Sequence, residues 1–495
     1  MIIHSIDMKK LCLHIALGLA IGTAGCNKFL DKEPDNRAKL NSPEKIAQLV
    51  STAYPRGTYM TFAESISDNV NDHQSGSTPN ETMDPYMFRD VRSNQQDSPE
   101  FYWNSCYEAI AAANQALKAI SEVSVTDQAK YNAVKGEALV ARAYSHFMLV
   151  TFFSKFYNAA TADTDMGIPY VTEPENVVIK QYDRKTVQYV YDMVEKDLLE
   201  GYPLLRDDSY NVPKYHFTKI AANAFAARFY LYKKNYQKVL DYTAAVLPAD
   251  ATTVLRPWNS TYLAYTRLEL FGVYQKATES ANLLLGETVS SWPRNVYSSR
   301  YSMDVATAGQ LLVRVPALTG AEWAYIYQAY GNDFVYMPKI NEYFVKESVN
   351  ANFGTIYMMA PLFTMEEALF NRAEAMILTG NTGGALALLN QFLSTRIDLY
   401  DPATDFLTAD KVNAYYGSTT LQVNLRNLLL AYKRAEFVHE GMRWLDIIRY
   451  DLPVTHTVVN GSTGKTDIVL PPGDNRRVFQ IPQSAALSGV AQNPR

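Results

Sequence analysis

Apolar residues recur at helical spacing over most of the chain. Phe101 to Val123 and Tyr131 to Phe156 each keep a three-four repeat, and Thr186 to Leu199 follows after a proline-containing link. Thr218 to Lys233 is a fourth stretch, interrupted at Lys234-Asn235, and Tyr236 to Leu247 is a fifth. The fourth carries Ala221, Ala222, Ala224, Ala226 and Ala227, small residues that let helix axes approach closely. The same order returns later as Met365 to Thr379, the turn Gly380-Asn381-Thr382-Gly383-Gly384, then Ala385 to Leu393. Helix, short Gly/Asn turn, helix, with small residues on the contact face, is the tetratricopeptide pattern. The two clearest pairs stand far apart in the chain. The pattern therefore predicts a mainly α, tetratricopeptide-like scaffold of dispersed helix pairs, not a tandem array.

Residues 248–361 break this periodicity. Pro248, Pro257, Pro293, Gly309, Pro316, Gly320, Gly331, Pro338 and Pro361 punctuate them, and they hold Trp258, Trp292 and Trp323, three of the five tryptophans. Irregular segments on a rigid scaffold are where binding residues concentrate. A second polar, turn-rich stretch runs from Ser67 to Pro99.

At the N-terminus, Lys9 and Lys10 precede an uncharged apolar run from Leu11 to about Gly22, closed by Gly22-Thr23-Ala24-Gly25-Cys26. The run is too short for a hydrocarbon core that needs about 20 apolar residues. The order of charge, short apolar segment, small residues and cysteine predicts a cleaved bacterial lipoprotein signal over residues 1–25 and lipidation of Cys26. Met8 is a more usual start than Met1. Of the three cysteines, Cys12 leaves with the signal and Cys26 takes lipid. Cys106 is then alone, so no intrachain disulfide is expected, and its apolar helical setting predicts a buried inert thiol. Net charge is −5 and no basic stripe is present, which argues against nucleic acid. Tyrosine is the compositional outlier, 35 residues against 5 tryptophans. Its flat apolar face and polar tip suit both helix packing and wet binding surfaces.

A series of blocks then resembles one family in order. Phe29-Leu30-Asp31 with Pro34 follows the cysteine, and Trp103, Tyr107, Ile110 and Asn114 lie on the first long helix. Glu137-Ala138-Leu139, Arg142-Ala143-Tyr144 and Phe147 mark the second. Gly167-Ile168-Pro169-Tyr170-Val171, then Arg184, Val187, Tyr191-Asp192 and Asp197-Leu198, continue the series, followed by Ala221 to Tyr232. The most recognisable block is Arg434-Ala435-Glu436-Phe437-Val438-His439-Glu440-Gly441-Met442-Arg443-Trp444-Leu445-Asp446, and the tail has Ile481-Pro482 and Gln492-Asn493-Pro494. Together they resemble the SusD/RagB family of nutrient-binding outer-membrane lipoproteins. The resemblance implies a helix-pair scaffold with an irregular, loop-rich ligand-binding subdomain. It also implies a non-enzymatic protein, lipid-anchored at the cell outer membrane and facing outward. Such a protein captures glycans, or in some members peptides, for a SusC-like TonB-dependent transporter; the alternative is a transporter-associated scaffold with no small ligand of its own. Asp31, Glu33 and Asp35 fit surface export on the same resemblance. The expected division is signal 1–25, helical scaffold 26–247, ligand-binding insertion 248–361, and a C-terminal helix pair with the signature region 362–495.

Sugar recognition needs flat aromatic faces and planar polar groups. The candidates are Trp292, Arg294, Tyr297, Trp323, Tyr325 and Tyr327, with Asp72, His73, Tyr86 and Arg89 from the earlier loop. Trp103 and Trp444 lie in helical blocks and are expected in the core. His439-Glu440 lacks the second histidine of a zinc helix, since position 443 is Arg, so neither metal nor cofactor is predicted. No Gly-x-Ser-x-Gly elbow or phosphate loop is present. Glu436, Glu440 and Arg443 have the spacing of helix-surface ion pairs, and Glu366-Glu367 reads as a solvated helix start.

Overall fold

A computed structural model describes residues 40–495 apart from positions 124–126, 176, 178–179, 332, 418 and 462–463. The signal segment, Cys26 and the block from Phe29 to Asp35 lie outside the described residues.

The predicted helices form with their capping chemistry in place. Ser98, Asp127, Thr186, Thr218, Thr364 and Asn381 each accept a backbone N–H from the first turn that follows. Helix Pro99–Glu122 buries Trp103, Cys106, Ile110 and Ala113 on one stripe against helix Gln128–Phe153. The latter packs in turn on helix Val187–Gly201. A Cβ on Gly136 would stand 2.8 Å from the carbonyl of Gly201, and the reverse holds for Gly201, so these two helices touch backbone to backbone.

Both pair-forming turns use one device. Lys234 and Gly380 take left-handed φ of 60° and 85°, and Asn235 and Asn381 then cap the next helix. The two pairs, distant in sequence, meet in space: helices Lys219–Tyr232 and Tyr236–Ala244 pack on helix Met365–Leu378. Arg228 joins them by a fork onto Glu367 at 2.5 and 2.6 Å. The fold is thus the tetratricopeptide-like scaffold expected.

Nine strands among the described residues decorate it: β1 Asn71–Asp72, β2 Asn282–Val289, β3 Tyr301–Ser302, β4 Gln328–Tyr330, β5 Phe334–Tyr336, β6 Glu342–Lys346, β7 Gly354–Thr364, β8 Val454–Val459 and β9 Lys465–Leu470. The order β2-β7-β6 makes an antiparallel sheet, and β1-β3, β4-β5 and β8-β9 are two-stranded. β7 runs through Pro361 straight into helix Met365–Leu378, and β2 and β7 lie on helix Lys219–Tyr232. One apolar core is shared by the helices and the irregular segment.

The signature blocks are structural. Asp197 accepts a fork from Arg142 at 2.7 and 2.8 Å and the Tyr170 hydroxyl at 2.6 Å. Arg142 also donates to Asn114, whose amide reaches the Val171 carbonyl. Trp103 and Trp444 are buried, and so is Cys106, whose thiol burial pushes up and away from reactivity. Two expectations about charged residues are overturned, the solvated helix start and the helix-surface ion pairs. Glu366 and Glu367 are buried; Glu366 accepts from Arg256 and Arg396, and Glu367 from Arg228. Glu436, Glu440 and Arg443 share no helix face, because the helix ends at Glu436 and His439 and Gly441 both take φ of 70°. Their partners are Arg396, Lys339 and Asp68 respectively.

Arg396 lies between Glu366 and Glu436, and all three side chains are excluded from solvent. Replacing it by Met leaves Glu436 without its guanidinium. Removing one member of a buried ion group costs about 3–5 kcal/mol. Denaturant unfolding of Arg396→Met is expected to show a loss of that size, and a loss below about 1 kcal/mol would refute the role.

His146 is fully buried, with Nδ1 at 2.9 Å from the Arg142 carbonyl and Nε2 accepting the Val171 N–H at 3.0 Å. Both ring nitrogens are used by the neutral form, and burial lowers the pKa from 6.5 to about 3. The unfolded chain then binds more protons below about pH 6.5, so stability falls as pH drops from there toward 3. Melting temperature should decline over this window, less steeply in His146→Gln; an identical slope in that variant would remove His146 as a source.

Candidate functional site

The structure brings together the two polar stretches that the sequence singled out. The loop 67–97 lies against the segment that begins at Ser290. β1 pairs β3 with Asn71 opposite Ser302. Ser77 donates its N–H to the Ser298 carbonyl at 2.8 Å and accepts the Arg300 N–H at 2.7 Å. Gly76 has φ of 99°, and a Cβ there would meet the Ser298 carbonyl at 2.6 Å, so only glycine permits this approach. Arg300 forks onto Asp72 at 2.6 and 2.8 Å. Burial alone would raise the Asp72 carboxyl, but Arg300 and the Val459 and Gln74 amides hold it below the ordinary range.

Asp97 is the second clamp. Its buried carboxylate accepts the Thr61 and Ser290 hydroxyls, and both the N–H and hydroxyl of Ser291 at 2.8 Å. Burial pushes its pKa up against these donors. The Ser290 hydroxyl accepts the Trp292 N–H at 3.0 Å, which sets the entry to the short helix Trp292–Asn295.

Between the two stretches runs a groove of about 370 Å3, lined by Ser77, Glu81, Gln95, Gln96, Ser291 and Asn295. These are hydroxyl, amide and carboxylate groups, matched to a polyhydroxylated ligand. The helix that supplies Asn295 leads directly to an aromatic surface. Tyr297 packs 5.4 Å from Tyr330 and 5.0 Å from Tyr336. Tyr330 is 57% exposed, whereas Tyr336 is buried with its hydroxyl held by Arg267 at 2.7 Å. Arg294 grips Glu342 with both carboxylate oxygens at 2.7 Å, exposed beside the tyrosines.

The predicted candidates divide by exposure. Arg294, Tyr297 and Tyr327 reach the surface, Tyr327 at 41% and Tyr297 half-buried. Trp292 does not: its indole N–H is spent on the His439 carbonyl at 2.8 Å and the ring is closed off. Trp323 is closed among Tyr325, Phe392 and Tyr432, and Tyr325 is buried with its hydroxyl on Glu436 at 2.6 Å. Tyr86 is sandwiched between Tyr301 and His456, and Asp72 is consumed by Arg300. His73 stacks on Phe334 at 4.4 Å and bonds the Ser302 carbonyl, bracing β1 against the segment. Arg89 pairs with Asp84 at 3.2 Å and faces a separate cleft of about 830 Å3 beside the C-terminal tail. Tyr330, Asn295, Gln95, Gln96 and Glu81 were not among the candidates. Tyr330 had a signal, since Tyr325, Tyr327 and Tyr330 run into Gly331 and predict a hairpin edge; the groove amides had none. Among the described residues no group of three His, Cys, Asp or Glu side chains could hold a metal ion.

The chain is thus a tetratricopeptide-like scaffold that presents a polar groove beside exposed tyrosines. Residues 28–231 match the SusD-like family described as "Starch-binding associating with outer membrane". A SusD-like protein P2 of Formosa agariphila is 23% identical over 388 residues, covering 71% of each chain. A SusD superfamily protein of Bacteroides vulgatus shares the fold with a TM-score of 0.66 at 19% identity, over 92% of this chain and 99% of that one. A laminarin-binding SusD-like protein shares it with a TM-score of 0.55 at 16% identity, over 92% and 99%.

Proposed function

We propose that this protein is a cell-surface lipoprotein that captures an oligosaccharide and passes it to a SusC-like TonB-dependent transporter of the outer membrane. The junction of loop 67–97 with the segment after Ser290 carries this reading. There a groove of hydroxyl and amide groups adjoins exposed tyrosine rings, the pairing that pyranose recognition needs. The match of residues 28–231 to a starch-binding, SusD-like family supports it, as does a neighbour in fold that binds laminarin. Arg294 and Glu342, linked on the surface, offer planar hydrogen-bonding groups beside the rings. The tether is Cys26: no described helix is long and apolar enough to cross a membrane, and the lipobox supplies a lipid attachment point instead.

Affinity electrophoresis through gels containing starch, laminarin or pectin tests capture. Retention by one of them is expected, weakened about ten-fold in Tyr330→Ala, the size of a typical aromatic anchor. Retention by none, with binding to peptides in calorimetry, would replace the glycan by a peptide.

Cys26→Ala tests the anchor. The variant is expected to leave the membrane fraction of its own bacterium for the soluble fraction. Continued sedimentation with membranes would overturn the lipid tether.

A further inference from the structure

The β2-β7-β6 sheet has a second aromatic face that neither the groove nor the Tyr297 surface uses. Side chains alternate between the two faces along a strand. Tyr343 and Tyr357 stand directly opposite each other across the β6-β7 pair, with ring centroids 5.7 Å apart and planes within 22°. Glu287, on β2 beyond β7, lies on the same face and accepts the Tyr343 hydroxyl. From the scaffold side, Arg56 sits 5.6 Å over the Tyr357 ring and donates to its hydroxyl at 2.8 Å. The Arg56 carbonyl accepts the Val289 N–H at 2.7 Å, which fixes its backbone to the end of β2. Tyr343, Arg56 and Glu287 are exposed, and so is Val345 on the same face. Two near-parallel rings flanked by a guanidinium and a carboxylate repeat the chemistry of the first surface.

The two surfaces are also contiguous. Glu342, the residue before Tyr343 on β6, points to the other face and is held by Arg294. Among the described residues only β7 pairs with β6, which makes β6 an edge of the sheet. Such edges are commonly blunted by charge, proline or a covering element. Here Phe344 and Val345 stand 50% and 47% exposed among the described residues. A ligand leaving the Tyr297–Tyr330 surface past Glu342 meets this edge first and the Tyr343–Tyr357 face next.

We propose that the Tyr343–Tyr357 face is a second saccharide subsite, occupied by the continuation of the same glycan chain after it crosses the edge of β6. The inference rests on the glycan reading above. The ligand class is an extended polysaccharide of uncharged pyranose units. The tyrosine rings receive their C–H faces, while Arg56 and the free oxygen of Glu287 receive hydroxyls. A chain already held at the first surface reaches the second as a tethered group, so the gain appears only for chains long enough to span both.

The test compares wild type with the double variant Tyr343→Ala/Tyr357→Ala, whose folding is checked by thermal melting, and with Arg56→Ala as a milder second variant. Starch, laminarin and pectin are the polymer probes in affinity gels, and the trisaccharide of the retained polymer is the short probe in calorimetry. The double variant is expected to bind the retained polymer about ten-fold or more weakly and the trisaccharide as wild type does. Arg56→Ala should move in the same direction, and Tyr330→Ala should weaken both probes. Unchanged polymer retention in a folded double variant, or in Arg56→Ala if the double variant does not fold, would overturn the second subsite and leave glycan capture standing. Absence of any polymer retention by wild type would instead overturn glycan capture, and the second subsite with it.

Discussion

The buried guanidinium of Arg396 is the point on which the rest of the molecule hangs. It donates to Glu436 through Nε at 2.8 Å and Nη2 at 3.0 Å, to Glu366 at 3.0 Å, and to the Arg256 carbonyl at 2.7 Å. Arg256 completes the cluster by donating its own N–H and a guanidinium N–H to Glu366, and another to Asn282. Each charge taken out of water here is desolvated at a cost of several kcal/mol. That cost is offset only while every partner stays in place. Such a cluster is a weak source of net stability and a strict condition on geometry. The partners come from four places: the start of the irregular segment, β2, helix Met365–Leu378 and helix Leu421–Glu436. None can shift without stranding a charge.

A second buried set extends this condition toward the groove. Lys339 reaches Glu440 at 3.0 Å and the carbonyl of Glu436, while Tyr274 donates to Glu440 at 2.8 Å. Tyr325 adds its hydroxyl to Glu436. Arg256, Tyr274, Tyr325 and Lys339 of the irregular segment are therefore fixed on the signature block or its neighbours. The turn in that block closes the chain of contacts. Glu64 accepts the backbone N–H groups of His439 and Gly441 at 2.8 and 3.1 Å. The His439 carbonyl then takes the indole of Trp292, from which the helix to Asn295 and Tyr297 begins. Arg434 and Arg443 pin Asp68 at the start of the opposing loop, and hold its carboxyl at about 2 against the upward pull of burial. Both walls of the groove are thus set by one stretch of thirteen signature residues, none of which touches the groove.

This explains what was legible in the sequence and what was not. Helices announce themselves through local spacing and caps, and Lys234-Asn235 and Gly380-Asn381 could be read as turns because their chemistry is contained in two residues. The blocks could be recognised because buried ion partners restrict which residue types fit. The binding face could not be read the same way. Trp292, Trp323 and Tyr325 were chosen for flat rings in an irregular segment, but whether a ring faces solvent depends on what stands across from it. For Trp292 that is His439, for Tyr325 it is Glu436, and both lie more than a hundred positions away. Helical spacing misled in the same manner at Glu436, Glu440 and Arg443, where two left-handed residues reset the phase. Glu366 and Glu367 looked solvated because their guanidinium partners are also remote in sequence.

The abundance of tyrosine over tryptophan acquires a physical role from these contacts. At these surfaces the hydroxyl is anchored: Tyr343 by Glu287 and Tyr357 by Arg56, with Tyr336 beneath Tyr297 held by Arg267. An anchored ring has already lost its rotamer freedom before any ligand arrives, so stacking forfeits less side-chain entropy, about 0.5–1.5 kcal/mol for each ring fixed in advance. Tryptophan would give a larger face but only one donor, with no acceptor to receive an arginine. The charged partners serve twice, since each retains free hydrogen-bonding capacity at the edge of the ring it orients. Rigid rings need a rigid backbone beneath them, and the buried Arg396 and Lys339 clusters supply it.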